Sequence, residues 1–156
     1  MQIEALDPDQ PEARRLISEL DGDLLQRYPG QVPHGIDVAE FRKSGGYFVV
    51  LRETSDASAL ACGAFRPVNT ATVEIKRIYV ALGCRGRGYA KAILSHLEEE
   101  AWRRGFTTCV LETGIQQPEA IALYQKLGYA SMAAYGEYVG NPNSVCFEKR
   151  RAGFIG

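Results

Sequence analysis

The sequence lacks the features by which several functional classes are recognised. Its 156 residues carry 18 Lys and Arg against 19 Asp and Glu, and a net charge of −1 provides no positive field for nucleic acid. No apolar run reaches transmembrane length, and residues 1–4 have neither the basic nor the apolar segment of a signal peptide. These absences predict a cytoplasmic protein with no nucleic-acid or membrane partner.

Metal and disulfide chemistry are not expected either. The two histidines are isolated from each other in the sequence, and none of the four cysteines forms a C-x-x-C pair. Without close spacing or an export signal, the thiols are expected to be reduced and mostly buried. The cysteines are Cys62, Cys84, Cys109 and Cys146.

The chain is long enough for one domain with its own core, and we predict a single domain over residues 1–156. Apolar periodicity predicts strands at 2–5, 47–52, 59–65, 72–80, 106–113, 129–135 and 144–149. Helices are predicted to end near residues 27, 43, 102 and 127. The strand–helix–strand segment 72–113 requires a crossover between parallel strands. The fold class is therefore α+β, a mixed and mostly antiparallel sheet with one parallel strand pair and helices on both faces.

Three finer expectations concern side-chain placement. Asp7 and Asp9 are predicted to cap the first helix, and Glu98 is predicted to lie on the solvent face of the third. Alternation along the strand 72–80 predicts two opposite faces. One face would carry Val73, Ile75 and Tyr79, and the other Glu74, Lys76, Ile78 and Val80.

A glycine-rich segment, Arg85-Gly-Arg-Gly-Tyr-Ala90, lies between this strand and the third helix. Glycine lets a backbone approach a ligand closely, and the first N–H groups of a helix have no partner within the helix. Arg85, Arg87 and Lys91 add positive charge where the helix dipole is already positive, which is favourable only beside an anion. The segment therefore predicts a phosphate-binding loop.

This segment has three alternative interpretations. A Walker A loop is excluded, because Tyr89 and Ala90 stand where Lys and Ser or Thr are required. A dinucleotide fingerprint requires Gly or Ala at position 91, which is Lys, although Glu112 imitates the ribose-binding acid of that fold. A tight turn with solvated arginines is the third alternative.

The segment resembles the R/Q-x-x-G-x-G/A signature of the GNAT superfamily of acetyl-CoA-dependent N-acetyltransferases. Residues 74–80 resemble the strand that precedes this signature, and residues 120–129 are similar to the family's A-x-x-L-Y-x-K-x-G-F/Y helix. These three pieces occur in the family's order and together span 74–129. The first 45 residues match only loosely.

The resemblance implies where acetyl-CoA binds. Backbone amides of the glycine-rich loop would hold the pyrophosphate, and the strand end would pair with the pantetheine arm, which enters a gap between the strands 72–80 and 106–113. Gln117 stands where many members have Asn. The residues assigned to the cofactor are Ile78, Tyr79, Val80, Arg85, Gly86, Arg87, Gly88, Tyr89, Ala90, Lys91 and Gln117.

The resemblance also implies direct transfer of an acetyl group to a primary amine of a small molecule or peptide. Such transfer needs a base for the ammonium and an acid for the leaving thiolate. Tyr124 is the candidate acid, with core packing as its alternative role. Glu74 is the candidate base, and its alternative role is a surface ion pair with Lys76. If Glu74 is not the base, Glu112 or water alone would take the proton.

The acceptor site is less defined by the resemblance. The loop 28–35 is where family members select acceptors, and three tyrosines of the final segment are candidate pocket residues: Tyr129, Tyr135 and Tyr138. A homodimer is common in the family. The alternative function is that of a non-catalytic acyl-CoA-binding regulatory domain on the same fold.

Overall fold

Seven strands and four helices form the part of the chain that the computed structural model describes, residues 1–31 and 37–153. The strands are β1 (Gln2–Ala5), β2 (Tyr47–Arg52), β3 (Ala61–Pro67), β4 (Thr72–Val80), β5 (Thr108–Gly114), β6 (Ala130–Met132) and β7 (Ser144–Arg150). The helices are α1 (Pro11–Arg27), α2 (Val38–Lys43), α3 (Tyr89–Arg103) and α4 (Pro118–Lys126), with a 3-10 turn at Gly136–Tyr138. Within these described ranges, no helix has the length and apolar character needed to cross a membrane.

The strands form one sheet in the order β1-β2-β3-β4-β5-β7-β6. Only β4 and β5 pair in parallel; the other neighbouring strands are antiparallel. This confirms the predicted mixed sheet with one parallel pair. The parallel pairing extends from Thr72 opposite Thr108 to Ile75 opposite Leu111 and then stops. Beyond that point the two strands separate, which leaves a gap in the middle of the sheet.

Helices cover both faces of the sheet, as predicted. On one face Ile93, Leu94 and Leu97 of α3 are fully buried against strand residues such as Val49 and Phe65. On the other face α1 and α2 pack over β2 and β3 through buried side chains. Three of the four cysteines are buried, and all four are free thiols. The sheet separates two apolar layers, so α1 lies on the face opposite α3.

A β-bulge in β4 changes which residues share a face. Cys62 lies opposite Tyr79 and Ala64 lies opposite Lys76, so two residues of β4 stand against Gly63 alone. Arg77 has a positive φ of 61°, which is uncommon for a residue with a Cβ. The predicted alternation is therefore wrong beyond the bulge. Val73, Ile75, Ile78 and Val80 pack on the α3 face, whereas Tyr79 packs on the α1 face.

Two other placements also differ from the sequence predictions. Gln10, with no side-chain hydrogen bond, caps α1, because Asp7 instead binds Arg42 of α2, with 2.7 Å from Nη2 to Oδ1. Glu98 is buried, where it accepts hydrogen bonds from the Tyr129 hydroxyl at 2.8 Å and from Lys149 Nζ at 3.0 Å. The carboxylates of Asp7 and Glu98 are bound by residues that are distant in the sequence, and the periodicity of apolar residues does not reveal such partners.

Gly63→Ala is expected to destabilise the protein, because α3 packs directly on the bulge. A Cβ at this position would lie 2.5 Å from Ile93 Cγ2 and 2.7 Å from Ile78 Cδ1. Overpacking of this kind costs about 1–3 kcal/mol. Urea denaturation measures the loss. Gly22→Ala in α1 is the matched control. A Cβ at Gly22 would meet no atom within 4 Å, and the free energy of unfolding should rise by about 0.5–1 kcal/mol. Equal stability of Gly63→Ala and the wild type would contradict the packing described.

Candidate active site

A cleft of about 340 Å³ opens where β4 and β5 separate. The end of β4 forms one wall through residues 78–80, and α4 forms the opposite wall through Ala120, Leu123 and Tyr124. The glycine-rich loop and the first turn of α3 close one end, and α1 passes over the top. All the residues predicted to bind the cofactor line this cleft except Arg87.

The glycine-rich loop forms the N-terminus of α3. Gly86 and Gly88 have positive φ values of 82° and 81°, a conformation that side chains with a Cβ rarely adopt. A Cβ at either position would meet no atom within 4 Å, so open space lies in front of the loop. The first helical bond of α3 runs from Ala92 N to Gly88 O at 3.0 Å, which leaves the preceding amides free of the helix ladder. The geometry fits an anion at this end of the cleft.

The two arginines of the loop point in different directions. Arg85 lines the cleft, where its Nε donates to Val80 O at 3.2 Å and its guanidinium lies 5.9 Å from the Tyr79 ring centre. Arg87 lies 3.4 Å from Glu53, in the connection between β2 and β3, and does not line the cleft. Arg85 and Lys91 are therefore the side-chain cations of the loop that face the cleft.

Helix α1 contributes charged residues to the cleft that the sequence reasoning missed. Arg27 binds Glu119 of α4, with 2.5 Å from Nη2 to Oε1, and it also donates to Gln116 O at 2.9 Å. Asp23 lies 3.4 Å from Arg27 and 4.0 Å from Arg85. A chain of alternating charges thus joins the glycine-rich loop to α4 across the cleft. No local signal identifies these residues, because α1 precedes β4 by more than forty residues.

A side chamber of about 110 Å³ adjoins the cleft. Residues 75–78 of β4 form one wall, and Glu112 and Thr113 of β5 form the other. Leu24 of α1 and Tyr138 also line it. The cleft and the side chamber share four lining residues: Leu20, Ile78, Gln117 and Tyr124. They are therefore two compartments of one site within the gap.

Tyr124 stands at the junction of the two compartments. Its ring packs against Tyr129 and Phe147, with ring centres 5.9 Å and 6.4 Å away, and only 7% of the residue is exposed. Burial, and to a lesser degree the charge of Glu112, raises the pKa of the Tyr124 phenol. The phenol is thus protonated at neutral pH. Tyr124 is both a core residue and part of the site.

The two candidate bases occupy different environments. Glu74 is 1% exposed and lines neither compartment; its carboxylate accepts from Arg66 Nε at 2.8 Å and from the Tyr135 hydroxyl at 2.7 Å. Glu112 lines the side chamber, and its Oε2 accepts a 2.6 Å hydrogen bond from the Ser144 hydroxyl. Glu74 is therefore enclosed by protein partners, whereas Glu112 faces the same space as Tyr124.

The structure separates the three tyrosines of the final segment. Tyr138 lines the side chamber, Tyr135 binds Glu74, and Tyr129 binds Glu98 in the α3 core. Of the loop 28–35, expected to select the acceptor, residues 32–35 lie outside the described part of the chain. Its first residue, Tyr28, accepts a 2.9 Å hydrogen bond from Gln116 N, and its hydroxyl occupies the space that a Cβ at Gly114 would need.

Gln117 lies at the N-terminus of α4 and lines both compartments. Its Oε1 accepts a 3.1 Å hydrogen bond from Gly114 N, and its own amide N donates to Gly114 O at 3.0 Å. These two bonds hold the end of β5 against the start of α4. The longer side chain, compared with Asn, is thereby anchored to the backbone beside the gap.

Comparisons with known proteins identify the family of the chain. The sequence pattern of the acetyltransferase (GNAT) family matches residues 10–129. An IAA acetyltransferase from Azospirillum brasilense is 34% identical over 143 residues, which cover 91% of this chain and 92% of that protein. A solved structure from Klebsiella pneumoniae, assigned as an acyl-CoA N-acyltransferase, has a TM-score of 0.81 at 31% identity and covers 96% of both chains.

A more distant structure shares the fold. A GNAT acetyltransferase from Elizabethkingia anophelis, solved with acetyl-CoA bound, has a TM-score of 0.71 at 17% identity and covers 96% of this chain and 97% of its own. Since the family pattern spans most of the chain and a relative is 34% identical across nearly all of it, the protein belongs to the GNAT acetyltransferase family and is an acyltransferase.

Proposed function

We propose that the protein transfers an acetyl group from acetyl-CoA directly to the primary amine of a small molecule or peptide. The proposal rests on one observation: the cleft and the side chamber meet at the phenol of Tyr124. The cleft ends at a helix N-terminus with two cations, and the side chamber holds a carboxylate; Tyr124 lies between them. A donor and an acceptor can therefore meet beside Tyr124.

The cleft has the chemistry that acetyl-CoA requires. The open amides at Gly88 and the side chains of Arg85 and Lys91 suit a pyrophosphate. Beyond the bulge β4 has no partner in β5 among the described residues, so its outer backbone groups can pair with an extended amide chain such as pantetheine, although Val80 O already accepts from Arg85 Nε. The acetyl-CoA complex of the Elizabethkingia relative supports the same donor for this chain.

In the proposed reaction, Glu112 takes the proton of the acceptor ammonium, directly or through one water. The amine nitrogen then attacks the thioester carbonyl. The carbon–sulfur bond breaks as the amide bond forms, and the nitrogen loses its second proton to water. Tyr124 gives its phenolic proton to the departing thiolate and regains one from solvent. The acetyl group passes directly to the amine, so no acetyl–enzyme intermediate is formed.

Thiol release from acetyl-CoA tests this function. The assay is run with amino acids, polyamines, aminoglycosides and short peptides as acceptors, and the acetylated products are identified by mass spectrometry. We expect turnover with one or more of these classes and stoichiometric N-acetylation. A rise in melting temperature with CoA, but no thiol release with any amine, would overturn the proposal and indicate the non-catalytic acyl-CoA-binding function.

A further inference from the structure

The side chamber separates positive from negative charge. Lys76 and Arg77 of β4 line one wall, and Glu112 of β5 lines the other, across the point where the strands part. Tyr124 lies at the open end toward the cleft. An acceptor that entered this space would meet cations on one side and the proposed base on the other.

The β-bulge is the reason that two successive residues present cations together. In regular β-structure Lys76 and Arg77 would point to opposite faces. The inserted residue and the positive φ of 61° at Arg77 place both side chains on the α1 face, where Lys76 approaches Glu74 and Arg77 binds Asp21 of α1. The backbone conformation thus places two cationic side chains on one wall, each beside a carboxylate.

The protein does not use the full hydrogen-bonding capacity of this wall. Arg77 Nη1 lies 2.5 Å from Asp21 Oδ1, but Arg77 Nε is buried and, among the described residues, has no hydrogen-bond partner. Lys76 Nζ lies 3.8 Å from Glu74 Oε1, which is beyond hydrogen-bonding distance, and 11% of its side chain is exposed. Glu74 in turn is already bound by Arg66 and Tyr135. A small anion at Lys76 and Arg77 would add charge-assisted hydrogen bonds to this wall.

The size of the side chamber limits the group that it can hold. Its volume is about 110 Å³, which suits a group of a few non-hydrogen atoms. It is also smaller than the roughly 300–1,000 Å³ of pockets that enclose drug-sized molecules. An amine and a carboxylate attached to one carbon fit these dimensions and this separation of charge.

We propose that the acceptor is an α-amino acid, whose carboxylate binds beside Lys76 and Arg77 while its amine faces Glu112 and Tyr124. This inference rests on the proposed acetyl transfer and names its substrate class. Polyamines and other acceptors with several positive charges are disfavoured, because their second ammonium would stand against Lys76 and Arg77. The side chain of the amino acid projects out of the side chamber.

Paired acceptors test the inference without any change to the protein. Each L-amino acid is compared with its α-carboxamide, which keeps the shape and the amine but removes the negative charge. We expect kcat/KM for the amino acid to exceed that for its amide by about 10- to 100-fold, since a hydrogen bond to a charged group is worth about 1.5–3 kcal/mol. Equal or faster turnover of the amides, or turnover confined to amines without a carboxylate, would overturn the inference while leaving acetyl transfer established.

Lys76→Gln provides the second arm. This substitution should lower kcat/KM for the amino acid about tenfold or more and leave kcat/KM for the amide unchanged. Lys76→Arg, which keeps the charge, should restore much of the loss. Lys126→Gln, at the exposed end of α4, is the matched control and should change neither acceptor. An equal loss with both acceptors would indicate a structural role for Lys76 and overturn the assignment. No thiol release with any acceptor would instead refute the proposed function itself.

Discussion

Tyr124→Phe is expected to lower kcat on the order of 100-fold or more, with little change in KM for acetyl-CoA. The substitution removes one hydroxyl and keeps the ring that packs against Tyr129 and Phe147. Loss of a general acid typically costs 10²- to 10⁴-fold in rate. Because burial raises the pKa of this phenol, it remains the acid form throughout the neutral and moderately alkaline range. Steady-state kinetics with saturating acceptor measure the change.

Tyr129→Phe is the matched control for this experiment. Tyr129 belongs to the same aromatic cluster, but its hydroxyl donates to buried Glu98 and it lines neither compartment. Its loss should lower the free energy of unfolding by about 1–3 kcal/mol and leave kcat unchanged. If Tyr124→Phe keeps full kcat, or if both variants lose activity in proportion to stability, Tyr124 is a packing residue and the thiolate receives its proton from water.

Glu112→Gln is expected to lower kcat by 10²- to 10⁴-fold near neutral pH, where the acceptor amine is mostly protonated. The ratio of wild-type to variant kcat should fall as the pH rises toward the pKa of the acceptor. Below that pKa the free-amine fraction grows about tenfold per pH unit, and a variant without the base depends on this fraction more strongly than the wild type does. The ratio of wild-type to variant kcat, measured from pH 6.5 to 9.5, reports this dependence.

Glu74→Gln distinguishes the two carboxylates. Glu74 is enclosed by Arg66 and Tyr135, so its substitution should reduce the melting temperature more than it reduces kcat. The reverse pattern, with kcat lost in Glu74→Gln and retained in Glu112→Gln, would return Glu74 to the role of base. A wild-type to variant ratio for Glu112→Gln that does not change with pH would argue for a positioning role for Glu112.

Several parts of the site are encoded in short segments and could be predicted. The glycine-rich loop needs positive φ at Gly86 and Gly88, and a residue without a Cβ signals this directly. The helix carrying Tyr124 ends before Gly128, whose φ is 95°, as expected for a C-terminal glycine. The strand–helix–strand order required the parallel β4–β5 pair. Each of these signals depends on neighbouring residues only.

Other parts depend on contacts between distant segments. One inserted residue at Arg77 reversed the alternation of β4 and brought Lys76 and Arg77 to one wall. Sequence reasoning made Glu74 the candidate base and Glu112 the reserve, and only the structure shows their surroundings: Glu74 binds Arg66 and Tyr135, whereas Glu112 lines the side chamber. Asp23 and Arg27 entered the cleft because α1 packs across the gap.

The sequence by itself therefore determined the sheet class, the glycine-rich turn before α3 and the register of Tyr124, because backbone conformation and short-range periodicity follow from adjacent residues. The tertiary structure alone decided which carboxylate faces Tyr124 and which cations line the side chamber. Those outcomes depend on a bulge and on packing between α1, β4 and β5, where a shift of one residue turns a side chain to the opposite face.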